Sequence, residues 1–441
     1  MNTRLALRLL LLAGLVLAAL AAAACSKSET GPSPAPAGSS AAASTATAAP
    51  PSATPAPGTV TPPPALAVPD RYRATYAELD SAISAFESRV GPTPKLVTET
   101  GGAVSVSLLQ VNSNQAPAIL QPAVLEATKT YLDELRSMGV TAVEMQIAYP
   151  VMSEEFPDRD RYVALYRAVV DAAHQRGLKV LIETSCIFSG STFTDIKFDF
   201  ASMSADQYFD ARTRHAVAVA ALGPDYLALG EEPVNERVFA GIDFTEDQYI
   251  AYVNGATRAI RQSLPPGSTT KVGVGTGTWE FQFFTHMVER TEVDFFDIHL
   301  YPLQGTPGGY ETVRQMASLA KAKGKPVVIG ETWLYKLSRA ESGPVAGATA
   351  AEAFRRDAFS FWAPLDFRHA RNVLALGAEF EMPLVSFWGA RFMHANLEWT
   401  PENDALDFRG VSRTVNPVIN RNIASGSLTP LGQALEALIT R

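Results

Sequence analysis

The segment Pro326-Val-Val-Ile-Gly-Glu-Thr-Trp333 is a short apolar run that ends in a glutamate, Glu331. A second segment, Tyr226-Leu-Ala-Leu-Gly-Glu-Glu-Pro233, has the same form and ends in Glu231 and Glu232. Short continuous apolar runs of this length are typical of the buried strands of a parallel sheet. Both segments therefore predict strands that end in carboxylates, and two further strand–helix units lie between them.

The same alternation extends over most of the chain. Strands are predicted at 103–111, 141–149, 178–185, 226–232, 270–276, 293–301, 326–331 and 384–389. Amphipathic segments that predict helices follow them at 121–138, 159–176, 205–221, 246–263, 280–290, 310–323, 350–371 and 428–440. Eight strands each followed by a helix close a barrel, so the predicted fold class is α/β, a (β/α)8 TIM barrel. An extra N-terminal helix is predicted over 71–90. The runner-up is a doubly wound open sheet, but no Gly-rich phosphate loop follows the first strand.

Composition narrows the class of protein. With 441 residues and 47% hydrophobic content, the chain can bury a large core. The formal net charge is −8 and no basic block occurs, which argues against nucleic acid as a partner. Only two cysteines are present, which excludes a disulfide-stapled scaffold and a four-cysteine zinc site. We expect a monomer.

Active sites of such barrels form at the C-terminal ends of the strands, so polar and aromatic residues should concentrate there. The predicted strand ends carry Glu144, Gln146, Glu183, Glu231, Glu232, Trp279, Glu280, Asp297, His299, Tyr301, Glu331, Trp333, Ser386 and Trp388. Two carboxylates that face each other across a strand-end pocket are the minimal equipment for cleaving a glycosidic bond. Glu232 and Glu331 are the candidates for that pair.

The order of these motifs resembles that of glycoside hydrolase clan A, the retaining hydrolases built on a (β/α)8 barrel. The motifs are Glu232-Pro233 after strand four, His299-Leu-Tyr301 after strand six, Glu331 after strand seven and Trp388 after strand eight. The resemblance spans roughly residues 100–441. It implies that Glu232 is the acid/base residue, that Glu331 is the nucleophile and that Trp388 is a sugar platform.

Glu231 departs from that pattern, because the clan commonly has an asparagine before the acid/base residue. A second carboxylate at this position could still accept a hydrogen bond from the sugar 2-hydroxyl. It would also add negative charge beside Glu232, which favours the protonated form that a general acid requires. The alternatives are an unusual sugar stereochemistry and an enzyme that has lost its activity.

The expected reaction is a double displacement on a β-linked polysaccharide or oligosaccharide. Glu331 attacks the anomeric carbon while Glu232 protonates the leaving oxygen, and the carboxyls should lie about 5 Å apart, whereas about 8 Å would imply inversion. Tyr301 is expected to hydrogen-bond Glu331, and His299 to bind a hydroxyl or support the acid. The stacking surfaces for sugar rings are predicted to be Trp279, Trp333 and Trp388.

Two other function classes compete with this prediction. A carbohydrate-binding barrel without turnover would keep the aromatic residues but would not need two opposed carboxylates. A metal-dependent hydrolase is disfavoured, because His174, His215, His286 and His369 fall on predicted helices without paired metal-ligand spacing. We therefore expect no metal and no cofactor.

Three polar residues and one long segment have two readings each. Glu144, Gln146 and Glu183 either line the pocket or plug the barrel interior. The segment 390–429 is longer than a usual connection, and we expect it to wall the binding cleft; the alternative is that it covers a neighbouring helix.

The N-terminus carries targeting information. Arg4 and Arg8 precede an apolar run that ends at Cys25, which resembles a bacterial lipoprotein signal with Cys25 as the lipidated residue. Ala22 stands where that signal prefers leucine, and the alternatives are ordinary cleavage after the alanines or an uncleaved membrane anchor. Residues 26–67 are almost all Ala, Pro, Ser, Thr and Gly, a composition typical of a disordered tether.

The predicted domains are therefore a signal peptide at 1–24, a tether at 25–67 and a catalytic barrel with its helical extension at 68–441. Ser26 resembles an outer-membrane sorting signal. The expected location is the bacterial cell envelope, where the lipid anchor binds the membrane and the soluble domain is periplasmic or surface-exposed.

Overall fold

The structure is a computed structural model that describes residues 60–189, 194–301, 303, 308–342 and 350–441. The predicted signal peptide, the lipidation site Cys25 and nearly all of the predicted tether lie outside the described residues. Within the described ranges, no helix combines the length and the apolarity needed to cross a membrane.

Eight parallel strands form a closed barrel in which each strand pairs with the next one along the chain. They are β1 (Ala103–Ser107), β2 (Ala142–Gln146), β3 (Lys179–Glu183), β4 (Tyr226–Ala228), β5 (Lys271–Gly277), β6 (Phe295–Leu300), β7 (Val327–Thr332) and β8 (Leu384–Phe387). The barrel closes where β8 pairs with β1. The predicted (β/α)8 architecture is confirmed, and every predicted strand is present at its predicted place.

The helices surround this barrel. They are α1 (Arg73–Val90), α2 (Pro122–Ser137), α3 (Arg159–Gln175), α4 (Ala205–Ala220), α5 (Pro233–Ala240), α6 (Glu246–Ser263), α7 (Phe281–Arg290), α8 (Gly309–Ala322), α9 (Arg339–Ser342), α10 (Ala350–Asp357), α11 (Ala363–Glu379), α12 (Pro401–Asp404), α13 (Phe408–Ser425) and α14 (Pro430–Ile439). The predicted N-terminal helix is α1, which packs against α11.

One prediction about the C-terminal third needs correction. The single helix predicted at 350–371 is two helices, because Phe359 has extended backbone and pairs with Leu397 between the end of α10 and the start of α11. Pro364 lies in the first turn of α11, where its missing N–H is tolerated. The segment 390–429 contains α12 and α13, and α13 packs against α2 and α10. This segment thus covers neighbouring helices. With α2 it also encloses a cavity of about 390 Å³.

The barrel interior has two layers of side chains with different chemistry. We call the first the lower layer; it is a small, separate apolar cluster of Ala103, Ala142, Leu181, Ala228, Phe295, Val328 and Leu384. Because side chains alternate along a strand, the residues two positions further along face the interior again. We call these the upper layer: Ser105, Glu144, Glu183, Asp297 and Ser386, all of them buried. The larger core lies outside the barrel, between the strands and the helices.

Candidate active site

A β-bulge in β7 turns Glu331 into the mouth of the barrel. Gly330 and Glu331 together lie opposite the single Ser386 of β8, since the pairing shifts between Ile329 and Thr332. The pairing of β7 with β6 shifts at the same level. Because strict alternation would send Glu331 outward from Gly330, the extra residue is what brings its carboxylate inside.

Regular strand structure also ends before the two glutamates that follow β4. Both side chains nevertheless reach groups at the barrel mouth: Glu231 accepts a hydrogen bond from Gln146, and Glu232 lies 3.0 Å from His299. Pro233 then begins α5 directly after Glu232. Strict alternation of side chains along the strand would have turned only one of the two carboxylates, Glu231 or Glu232, into the barrel.

One imidazole nitrogen joins the two proposed catalytic carboxylates. His299 Nδ1 lies 3.0 Å from Glu232 Oε1 and 3.4 Å from Glu331 Oε2. The separation of these two oxygens therefore cannot exceed the sum of those distances. The two carboxyl groups thus lie at the barrel mouth and face each other across one ring nitrogen.

Each of the two carboxylates also has a partner of its own. The hydroxyl of Tyr301 donates a hydrogen bond to Glu331 Oε1, which is the contact expected from the sequence. The side-chain amide of Asn235 donates to Glu232 Oε2. Sequence reasoning missed Asn235, although its place three residues after Glu232, in the first turn of α5, is the available signal.

The protonation of the site follows from its burial. Burial raises the pKa of Glu331 to about 8, although His299 and Tyr301 act in the opposite direction. Burial likewise raises the pKa of Glu231 to about 7. For His299 burial disfavours the charge, yet the carboxylates of Glu183 and Glu331 raise its pKa well above the ordinary value. The site therefore holds more protons near neutral pH than free side chains would.

A chain of amides fixes Glu231. Gln146 Oε1 accepts hydrogen bonds from the Nδ2 atoms of Asn112 and Asn114, at 3.1 and 2.9 Å. Its amide nitrogen is thereby left to donate to Glu231 Oε1. The second oxygen of Glu231 is buried without a hydrogen-bond partner. Gln146 thus belongs to the mouth of the barrel, whereas Glu144 and Glu183 lie one layer deeper and follow the plug alternative.

The far side of the His299 ring faces two further acids. Its Nε2 atom lies 3.5 Å from Glu183 Oε2 and 4.0 Å from Asp297 Oδ2. Among the described residues, these three form the group whose ligand atoms lie close enough together to hold a metal ion. Sequence reasoning looked for metal ligands among the helical histidines and so did not consider the strand residue His299.

The three predicted stacking surfaces differ in exposure. Trp333 and Trp388 are each only 2% exposed, so a stacking role for either requires neighbouring groups to move aside. Trp333 lies under Gly389, where an added Cβ would overlap the indole, and close to Lys336. Trp279 is half-buried and is the one of the three with a substantial free surface.

The comparisons with known proteins find similar solved structures but no family. No family model and no curated protein matches the chain. A solved structure of XacCel5A with cellopentaose is 13% identical over 77% of this chain and 99% of its own, with a TM-score of 0.47. The exo-beta-1,4-mannosidase Op5Man5 from Opitutaceae bacterium strain TAV5 is 14% identical over 77% of this chain and 59% of its own, also with a TM-score of 0.47.

A third similar structure is GH5_18 from Bifidobacterium longum, which is 16% identical over 77% of this chain and 79% of its own, with a TM-score of 0.47. At TM-scores below 0.5 these likenesses establish neither a family nor an activity.

Proposed function

We propose that this protein is a retaining glycoside hydrolase that cleaves a β-linked polysaccharide or oligosaccharide, with Glu331 as nucleophile and Glu232 as acid/base. The observation that supports it most directly is the contact of both carboxylates with one atom, His299 Nδ1. A shared nitrogen keeps the two groups close together, and double displacement needs a short separation of about 5–5.5 Å.

In the proposed reaction, Glu331 attacks the anomeric carbon and forms a glycosyl-enzyme. Glu232 gives its proton to the departing oxygen and then takes one from the water that releases the sugar. Glu232 has the more accessible side chain of the pair, 13% exposed against 5% for Glu331, which suits a group that must meet water. Tyr301 holds one oxygen of Glu331, so the other, beside His299, is the oxygen that would reach the sugar.

The test is reducing-sugar release from β-linked glucan, mannan, galactan and xylan by the purified protein and by Glu331→Gln. Loss of a catalytic nucleophile is expected to lower kcat by about 10³-fold or more. Glu289→Gln, at an exposed position of α7, is the matched control and should keep full activity. Activity that survives in Glu331→Gln would contradict the site.

The stereochemistry of the first product gives an independent check. Proton NMR of a freshly cleaved β-linked substrate should show the β-anomer before it equilibrates in solution. An initial α-anomer would mean inversion and would contradict a glycosyl-enzyme on Glu331.

A second candidate function, carbohydrate binding without turnover, is favoured by the carboxylate at position 231, where the acid/base motif of clan A commonly has an asparagine. It predicts that the protein binds one of the same polysaccharides in a pull-down but releases no sugar from any of them. Release of reducing sugar that depends on Glu331 would exclude it.

We also propose that the chain is lipid-anchored through Cys25 in the bacterial cell envelope, with the barrel carried on the Pro/Ala-rich tether. The sequence around Cys25 supports this. Cys25→Ala should move the protein from the membrane fraction to the soluble fraction. A protein that stays in the membrane fraction without the cysteine would contradict lipidation.

A further inference from the structure

Glu183, Asp297 and His299 present three atoms to one another that form no hydrogen bond. The atoms are Glu183 Oε1, Asp297 Oδ2 and His299 Nε2, and each residue is no more than 1% exposed. Buried polar atoms are rarely left without partners, because desolvation then costs free energy without compensation. Three such atoms in one buried cluster are groups that a bound cation would satisfy.

The three side chains also place ligand atoms at the spacing found around a common cation, with Glu183 taking part through its other oxygen, Oε2. His299 Nε2 is 3.5 Å from Glu183 Oε2 and 4.0 Å from Asp297 Oδ2, distances at or beyond the limit for direct hydrogen bonds. Two ligands bound at about 2.1 Å in tetrahedral geometry lie about 3.4 Å apart. All three residues have ligand atoms within 4.8 Å of one another. A first-row divalent cation between them requires only small side-chain adjustments.

The surrounding contacts orient these groups as metal ligands are usually oriented. The other ring nitrogen of His299 contacts the carboxylate of Glu232 at 3.0 Å, the carboxylate–histidine arrangement typical behind a bound metal. The backbone N–H of Gly330 donates to Asp297 Oδ1 at 2.7 Å, which leaves Oδ2 to face His299. A Cβ at Gly330 would overlap the oxygens of Glu183 and Asp297, so glycine leaves room for both.

The charge of the barrel interior also favours a bound cation. Six buried carboxyl groups lie inside the barrel or at its mouth: Glu144, Glu183, Glu231, Glu280, Asp297 and Glu331. The buried Lys and Arg side chains of the described residues all lie outside the strands, at Arg212, Lys336, Arg355 and Arg356. Arg212 and Lys336 are already paired with carboxylates of their own. Apart from His299, the interior therefore has no protein cation to balance these acids.

We propose that Glu183, Asp297 and His299 bind one divalent cation of the Zn²⁺ or Mn²⁺ class inside the barrel, directly beneath the two proposed catalytic glutamates. One imidazole and two carboxylates are a ligand set that suits these ions. The cation would fix the ring of His299 and offset the negative charge of the interior. The site does not depend on the proposed hydrolase activity, since its test uses no substrate.

The test measures the metal content of the full chain, purified without a polyhistidine tag, by mass spectrometry. The protein is first dialysed against a chelator and then against Zn²⁺ or Mn²⁺. We expect about one equivalent per chain for wild type and for Glu231→Gln, a control at a buried carboxylate outside the triad. Glu183→Gln and Asp297→Asn should retain less than a tenth of an equivalent.

Two results would overturn the proposal. One is a wild-type protein that binds neither ion and whose Tm neither ion changes. The buried carboxylates would then be neutralised by protons alone. The other is equal metal content in wild type and in the two triad variants, which would place the ion elsewhere. If the variants fail to fold, X-ray absorption of the metal-loaded wild type decides instead, because the site requires one imidazole among its ligands.

Discussion

The lower and upper layers of the barrel interior are built on the same strands, two residues apart, and have opposite chemistry. The lower layer is apolar, and the regular side-chain alternation continues through it. The upper layer holds three buried acids, and directly above it the pairing of β7 is broken by a bulge. The lower halves of the strands thus stabilise the fold. The upper halves carry the polar groups on which the proposed function depends.

The substitution with the largest expected effect on this difference between the layers lies in the bulge of β7. Gly330→Ala adds a Cβ that would overlap the carboxyl oxygens of Glu183 and Asp297. We expect the β7 backbone to shift and Glu331 to lose its place, with a drop of about 100-fold in kcat/KM, as misplacement by about 1 Å can cause. Steady-state kinetics on the substrate identified by the sugar-release panel measures it.

Gly255→Ala is the matched control for that substitution. Gly255 lies within α6, and an added Cβ there meets nothing within 4 Å. This variant should keep full activity and be slightly more stable, because alanine favours helix. Unchanged kinetics in Gly330→Ala would show that the bulge does not position Glu331.

In the lower layer, a substitution to alanine should lower stability without lowering activity. Leu181→Ala removes a fully buried side chain, which typically costs about 2–5 kcal/mol of the free energy of unfolding. Ser386→Ala in the upper layer removes a buried hydroxyl that has no hydrogen-bond partner and should cost less than about 1 kcal/mol. Denaturant unfolding measures both.

Activity per folded molecule should stay within twofold of wild type in Leu181→Ala, since the lower layer touches no catalytic group. A large loss of kcat in the fully folded variant would mean that the two layers are coupled. It would contradict the assignment of stability to the lower layer and of catalysis to the upper layer.

The strands that carry the lower layer are also the part of the fold that the sequence predicts well. Apolar periodicity is a local signal, so the eight strands and most of the helices that follow them were predicted close to their observed places, while α5, α12 and α13 were not predicted. The order of Glu232, His299 and Glu331 along the barrel followed from strand count. The inward turn of Glu331 depends on a bulge, and bulges follow from pairing with neighbouring strands, which no local pattern contains. The burial of Trp333 and Trp388 depends in the same way on packing between distant segments.

Stability should depend on pH through the acids at the barrel mouth. The pKa of Glu231 is raised to about 7 by burial, above its ordinary value of 4.5. The folded state therefore binds this proton more tightly than the unfolded state, so the stabilisation is fully present below pH 4.5 and is lost as the pH rises through about 7.

Glu231→Gln removes this titration. Between pH 5 and pH 8 its free energy of unfolding should fall less than that of wild type, by about 1–3 kcal/mol. Denaturant unfolding at several pH values measures the difference, and Glu289→Gln, at an exposed position, should follow the wild-type curve. Parallel curves for wild type and Glu231→Gln would contradict the raised pKa.

The smallest expected effect concerns the rim above both layers. Trp279 packs against Gly277, where an added Cβ would overlap the indole, and it is the half-buried member of the predicted stacking residues. Ring stacking contributes about 0.5–1.5 kcal/mol, so Trp279→Ala should raise KM by roughly two- to tenfold and leave kcat within twofold. Trp279→Phe keeps an aromatic face and should lie close to wild type. A change in kcat without a change in KM would mean instead that Trp279 supports Glu280 and the neighbouring backbone, and the rim would then belong functionally to the upper layer rather than to substrate binding.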